Sequence, residues 1–237
     1  MRTLIAIQSY AGDAANGNHD LIRETWGKDF GAADVKFFIG RRGSEFISKA
    51  DEVLVDFQRT RTCRHEWWES YKDCCQDFWQ VQARDILRWS IKNGYDYTFL
   101  CSTDTYLIPK KLMSSGFQAF DYSGHFVPDA LPIGLKSTYE VHKHFLYPWA
   151  EIGCGMFLSK KASETVLKAP GDFWYTDVHI GQILGAGTES GQILSARLEN
   201  FANMISWHFR DQEGTGYQTH GFGWMKKMYQ EHRDATA

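Results

Sequence analysis

Thr98-Phe99-Leu100-Cys101-Ser102-Thr103-Asp104-Thr105-Tyr106-Leu107-Ile108 is the stretch whose reading decides the fold. It is an apolar run of strand length, entered from the turn residues Asn93-Gly94-Tyr95-Asp96, and that pattern fits a buried parallel strand in an α/β sheet. Residues 98–108 are therefore read as one strand with a polar tip that carries a single carboxylate, Asp104. Ligands of open α/β sheets bind outside the carboxyl ends of such strands, so Asp104 is the first candidate for a metal or phosphate site.

Outward from this strand, the pattern on both sides alternates strands with helices. Residues 3–9 form an apolar run suited to a sheet covered on both faces. The polar segment 9–18 follows as a loop able to approach a nucleotide, and a helix begins near His19 with Ile22 and Trp26 on one face and Arg23 turned away. Strands are expected at 35–40 and 52–57, and a long helix at 64–93, stopped by Asn93-Gly94. Pro109 suits the first position of a helix over 110–115, and 121–147 has no clear period.

Residues 151–159 read as a glycine-bearing loop entering a strand, with a helix over 160–168. Gly153 and Gly155 allow close approach of the backbone to a ligand or a neighbouring strand. An aromatic patch, Phe173-Trp174-Tyr175, precedes Asp177, which is expected to cap a helix over 178–184. Late strands are expected at 193–198 and 204–208. The C-terminal segment 220–237 then brings a loop and an amphipathic helix over 224–233.

Composition narrows the functional classes. At 237 residues, with no linker-like segment, the chain reads as one domain over 1–237. A formal charge of -3 argues against a global field for nucleic acid or anionic membrane. Five cysteines with no Cys-x-x-Cys pair match neither a disulfide framework nor a zinc site, and point to buried thiols in a reducing compartment. No stretch resembles a signal segment or a membrane span, so a soluble, cytoplasmic chain is expected. Aromatic residues make up 15% of the sequence, enough to line a sugar or base site beyond what a core uses. His142 and His144, two apart without a nearby carboxylate, read as an exposed polar segment rather than a metal pair.

Several of these stretches resemble, in order, the motifs of the β-1,3-glycosyltransferases of glycosyltransferase family 31, the galactosyltransferase and Fringe-like group. Ile22-Arg23-Glu24-Thr25-Trp26-Gly27 is similar to that family's Ile-Arg-x-Thr-Trp-Gly, and Phe37-Phe38-Ile39-Gly40 to its Phe-x-x-Gly strand. Asp85-Ile86-Leu87-Arg88-Trp89 is similar to its helix before the acidic motif. Ser102-Thr103-Asp104 stands where the family carries Asp-Asp-Asp. Tyr147-Pro148-Trp149, Gly153-Cys154-Gly155-Met156, Leu158-Ser159 and Thr176-Asp177-Val178 continue the series. Two of the three motif carboxylates are replaced by Ser102 and Thr103, and the Glu expected before Asp177 is Thr176.

The resemblance implies a single GT-A (Rossmann-like) α/β domain with a mixed, mostly parallel central sheet flanked by helices. It implies an inverting transferase that moves a sugar from a UDP-sugar donor to a hydroxyl of a glycan acceptor, with Mn²⁺ or Mg²⁺ as cofactor. Asp177 would be the general base, Asp104 and His208 the metal ligands, with His220 as the rival to His208. Arg23, Ser102, Thr103 and Asp104 would line the donor site, where Arg23 either contacts nucleotide or ties down a loop. Gly153, Gly155, Trp149 and Trp174 would form the acceptor side. Two alternatives remain at this stage. One places the acceptor on a modified nucleic acid, as in phage enzymes, and draws on the basic tail; the other is a non-catalytic sugar-binding or scaffold protein.

Overall fold

The computed structural model describes residues 1–40, 49–55, 76–127, 149–150, 152–169, 176–185, 190–192, 206–208 and 221–236. In chain order these hold β1 (Thr3–Ser9), α1 (Ala11–Ala15), α2 (Asn18–Glu24), a 3-10 turn (Trp26–Phe30), β2 (Asp34–Gly40) and β3 (Glu52–Val55). Next come α3 (Gln76–Lys92), β4 (Tyr97–Ser102), β5 (Thr105–Leu107), α4 (Pro109–Met113), β6 (Tyr122–Gly124) and β7 (Phe126–Val127). The series ends with β8 (Trp149–Ala150), β9 (Met156–Ser159), α5 (Lys160–Lys168), α6 (Thr176–Leu184), β10 (Ser190–Gln192), β11 (Ser206–His208) and α7 (Gly221–Thr236).

One seven-stranded sheet runs β10-β6-β9-β4-β1-β2-β3. All its strands are parallel except β9, which is antiparallel to both β4 and β6. This is the mixed, mostly parallel sheet of a Rossmann-like α/β domain. β1 is buried at every position, as its unbroken apolar run requires. Its side chains alternate between two cores. Ile5 and Ile7 pack with Trp26, Phe37, Phe99 and Phe157 under α2, α4 and α7, while Leu4 and Ala6 pack with Phe38, Leu100, Ile86 and Leu158 under α3, α5 and α6.

Local chemistry explains the boundaries. Gly94 takes a left-handed φ of 74° and closes α3 by donating its N–H to Ile91 O. The Ser159 hydroxyl caps α5 by accepting from Ala162 N. Gln82, wholly buried on α3, donates its amide to the carbonyls of both Ser9 and Phe38 at 2.7 Å, which satisfies backbone where β1 and β2 end.

Three expectations are corrected. Residues 98–108 form two strands, β4 and β5. The Thr105 hydroxyl accepts from Ser102 N at 3.2 Å and Ser102 Oγ donates to Asp104, so side chains offer the backbone a turn in place of a continued ladder. Segment 9–18 is not all loop but holds α1. Helix α6 starts at Thr176, which puts Asp177 in its first turn rather than at the cap. The described late strand β10 lies just before 193–198, and that span and 64–75 lie outside the described residues. No helix among the described residues is long and apolar enough to cross a membrane.

Candidate active site

The strand order reverses between β1 and β4: β2 and β3 follow on one side of β1, and β4 lies on the other. Such a switch point opens a crevice at the carboxyl ends of the strands. Ser9 ends β1 and Ser102 ends β4, so the α1 segment and the 102–104 tip face each other across that crevice. Thr103 Oγ1 bridges it by donating to Asp13 Oδ2 at 3.0 Å.

Asp104 lies in the turn between β4 and β5, held by the Ser102 hydroxyl. β5 leaves the main sheet and pairs antiparallel with β11, which sets His208 opposite Thr105. The register thus puts the backbone of His208 beside the residue that follows Asp104. His220 lies outside the described residues. On the other side, Thr105 Oγ1 donates to Gly153 O at 2.9 Å, which docks the 152–155 turn onto the tip. Asp177 continues the series: its Oδ1 accepts from Val178 N at 2.9 Å and its Oδ2 faces Ile152 N at 3.5 Å. Asp104, Gly153 and Asp177 therefore belong to one connected edge.

Gly155 makes the close approach to a neighbouring strand that was one of its two expected roles, here against Phe99 of β4. Its φ is 89°, and a Cβ there would lie 2.0 Å from the Phe99 ring, so core packing demands this glycine. Trp149 lies on β8, paired with Val127. Trp174, His142 and His144 lie outside the described residues. Cys101 is buried with its thiol pushed up by desolvation, and Cys154 is half-buried.

Arg23 is placed on the far side of the crevice. Its Nε and Nη2 hold Asp51 at 2.7 Å each, Nη2 also reaches Glu52 at 2.7 Å, and Nη1 reaches Asp20 at 2.6 Å. It lies over the Phe37 ring. This geometry ties α2 to the start of β3.

Sequence reasoning missed the buried chain that joins Arg23 to the tip. Glu52 Oε1 accepts from His19 Nδ1 at 2.9 Å, His19 Nε2 meets Ser9 Oγ at 2.6 Å, and Ser9 Oγ lies 3.4 Å from Asp13 Oδ2. Serine, imidazole and carboxylate stand in the order used by hydrolases, yet Ser9 is 0% exposed, so no substrate reaches its hydroxyl. The chain is a structural relay. Burial would raise the Glu52 carboxyl, but the Arg23 and His19 hydrogen bonds outweigh it and hold it below its ordinary value. Desolvation pulls His19 down, which favours the neutral ring.

Asp13 is the exception. It is 6% exposed, and burial, reinforced by the charge of Asp104, raises its carboxyl to about 6 against the lowering effect of its hydrogen bonds. A carboxyl raised on folding contributes stability that is full below its unfolded value, near 4, and lost as pH climbs through about 6. A shift of this size corresponds to at most about 3 kcal/mol. Asp13→Asn is therefore expected to melt above the wild type at pH 7.5 in EDTA, with the gap closing by pH 4. A gap independent of pH across that window would contradict this account of Asp13.

No family model matches the chain, and no curated protein matches it. Among solved structures, it is similar to HddC from Yersinia pseudotuberculosis, with a TM-score of 0.44 and 12% identity over 81% of this chain and 89% of that one. The same protein complexed with GMP-PN gives a TM-score of 0.42 and 14% identity, covering 81% and 90%. Likeness at this level carries no functional argument.

Proposed function

We propose that the chain is an inverting, metal-dependent glycosyltransferase that moves a sugar from a UDP-sugar donor to a hydroxyl of a glycan acceptor. The observation that carries this reading is the register of β11 on β5, which brings His208 beside the Asp104 tip at the switch-point crevice. An aspartate in the turn and a histidine in the register beside it are residue types that suit a hard-to-borderline divalent ion such as Mn²⁺. Among the described residues no three metal-ligating side chains cluster, and in this reading diphosphate oxygens would complete the ion's shell. When bound, the ion neutralises charge on the leaving diphosphate.

The chain's residues supply the rest. Ser102 and Thr103 hold the tip and present hydroxyls at its rim. Asp177 takes the proton of the acceptor hydroxyl as that oxygen bonds to the anomeric carbon. The bond from that carbon to the diphosphate oxygen breaks, and its electron pair leaves with UDP. The 152–155 turn, fixed to Thr105 and facing Asp177, sets the spacing between donor tip and base.

A melting experiment with UDP, with and without Mn²⁺, tests this reading. At one hundred times Kd, binding to the folded state adds about 2.7 kcal/mol, roughly 5–10 °C for a chain of this size. The rise is expected only with both ligands, and Asp104→Ala is expected to abolish it. Stabilisation by UDP that ignores Mn²⁺ and survives Asp104→Ala would sink the metal-dependent mechanism. Release of UDP on addition of glycan acceptors then reports transfer itself.

A further inference from the structure

The 102–104 tip carries one carboxylate, on a turn between two strands that belong to different sheets. Something must fix its orientation, since displacing a ligating group by about 1 Å costs on the order of a hundredfold. Ser102 secures the Asp104 side. The other side is secured from α1: Thr103 Oγ1 donates to Asp13 Oδ2 at 3.0 Å, and Asn18 Nδ2 donates to Asp13 Oδ1 at 2.9 Å. Ser9 Oγ, at 3.4 Å from Oδ2, connects the same carboxylate to the end of β1 and, through His19 and Glu52, to Arg23.

Resting on the glycosyltransferase reading, we propose that Asp13 is a positioning residue. Its hydrogen bond to Thr103 clamps the β4–β5 turn across the switch-point crevice, so that Asp104 meets the cation and diphosphate in a fixed orientation. Both Asp13 oxygens already accept from neutral donors, which makes Asp13 a brace for the tip rather than a ligand. It also serves as the joint between two sequence features far apart in the chain. The Arg23 network anchors α2 and β3; Ser9 and Asp13 carry that rigidity over β1 to the turn after β4. A brace needs the acceptor oxygen and the shape of Asp13 but not its charge. Asparagine meets that need: it offers Thr103 an oxygen, and the buried Asn18 Oδ1, which has no partner, can turn to accept the new amide N–H.

The test is a titration of Mn²⁺ at fixed UDP and pH 7.5, read as the Mn²⁺ concentration that gives half of the melting-temperature rise. Asp13→Ala and Thr103→Val are each expected to raise that midpoint at least tenfold. The double variant should do no more than the larger single change, because both remove one interaction. Asp13→Asn is expected to stay within about threefold of wild type, given one retained acceptor. The proposal is overturned if Asp13→Ala alters only the ligand-free melting temperature, if the double variant is additive, or if Asp13→Asn is as poor as Asp13→Ala. Should Asp13→Ala not fold, Thr103→Val and Asp13→Asn still decide between these outcomes. Absence of any Mn²⁺-dependent rise in the wild type would overturn the glycosyltransferase reading and this proposal together; a wild-type rise with an unmoved Asp13→Ala midpoint overturns this proposal alone.

Discussion

Asp177→Asn is expected to lower the rate of sugar transfer by roughly 10²–10⁴, the range supplied by a positioned general base, with UDP binding in Mn²⁺ little changed. The substitution is close to isosteric, and the remaining carbonyl oxygen can still accept from Val178 N, the 2.9 Å bond that seats the side chain in the first turn of α6. Its distance in sequence and contact from the tip also matters. Asp177 is linked to the Asp104 side through Ile152, Gly153 and Thr105, and the substitution keeps its acceptor oxygen, so the donor residues are expected to stay in place. The amide has no basic lone pair, so the acceptor hydroxyl keeps its proton at the moment of attack. A steady-state assay of UDP release should show kcat falling with KM for the donor near wild type. A kcat within tenfold of wild type would remove Asp177 from the base role. Loss of UDP-dependent stabilisation would instead make it a structural residue of the 152–155 turn.

Much of the frame was legible because burial on both faces writes itself as unbroken apolar runs. Residues 3–9 and 160–168 match β1 and α5 at both ends, and Asn93-Gly94 closes α3 as its left-handed φ requires. The tip was legible as a position, since Asp104 follows an apolar strand, but the break at 103–104 was not. Ser102, Thr103 and Thr105 turn the backbone through side-chain hydrogen bonds, and a run of hydroxyls between apolar residues carries no periodic signal. Arg23 was visible as part of a motif, yet the same motif serves a ligand contact or an anchor, and only its three carboxylate partners separate the two. Asp13, His19 and Glu52 were passed over for a related reason. They come from α1, α2 and β3, and only the β1-β2-β3 strand order brings them into one chain. The signal available was modest: a polar segment directly after the first buried strand, which is where a switch-point crevice would need it.

Arg23→Met should cost about 3–5 kcal/mol in unfolding free energy at pH 7.5, the range for removing one partner of a buried ion pair. The reason is Glu52, whose side chain is 3% exposed and depends on Arg23 and His19 for its partners, with Lys49 N as a further donor. Asp20, half exposed, adds little, because water screens it. With the guanidinium gone, Glu52 is left buried beside Asp51, and burial, no longer outweighed, pushes its carboxyl upward. The sign of the pH effect follows. In the wild type Glu52 is held below its ordinary value, so it contributes stability above pH 4.5 that is lost as pH falls. In the variant the charged form is the costly one, and protonation relieves it. The gap between the two proteins in urea unfolding should therefore be widest near pH 7.5 and narrow towards pH 4.5. Adding Glu52→Gln to Arg23→Met should recover a large part of the loss, since the amide carries no charge to strand. A gap flat in pH, or a double variant as unstable as the sum of its parts, would mean that Arg23 is acting through the Phe37 ring it covers rather than through Glu52.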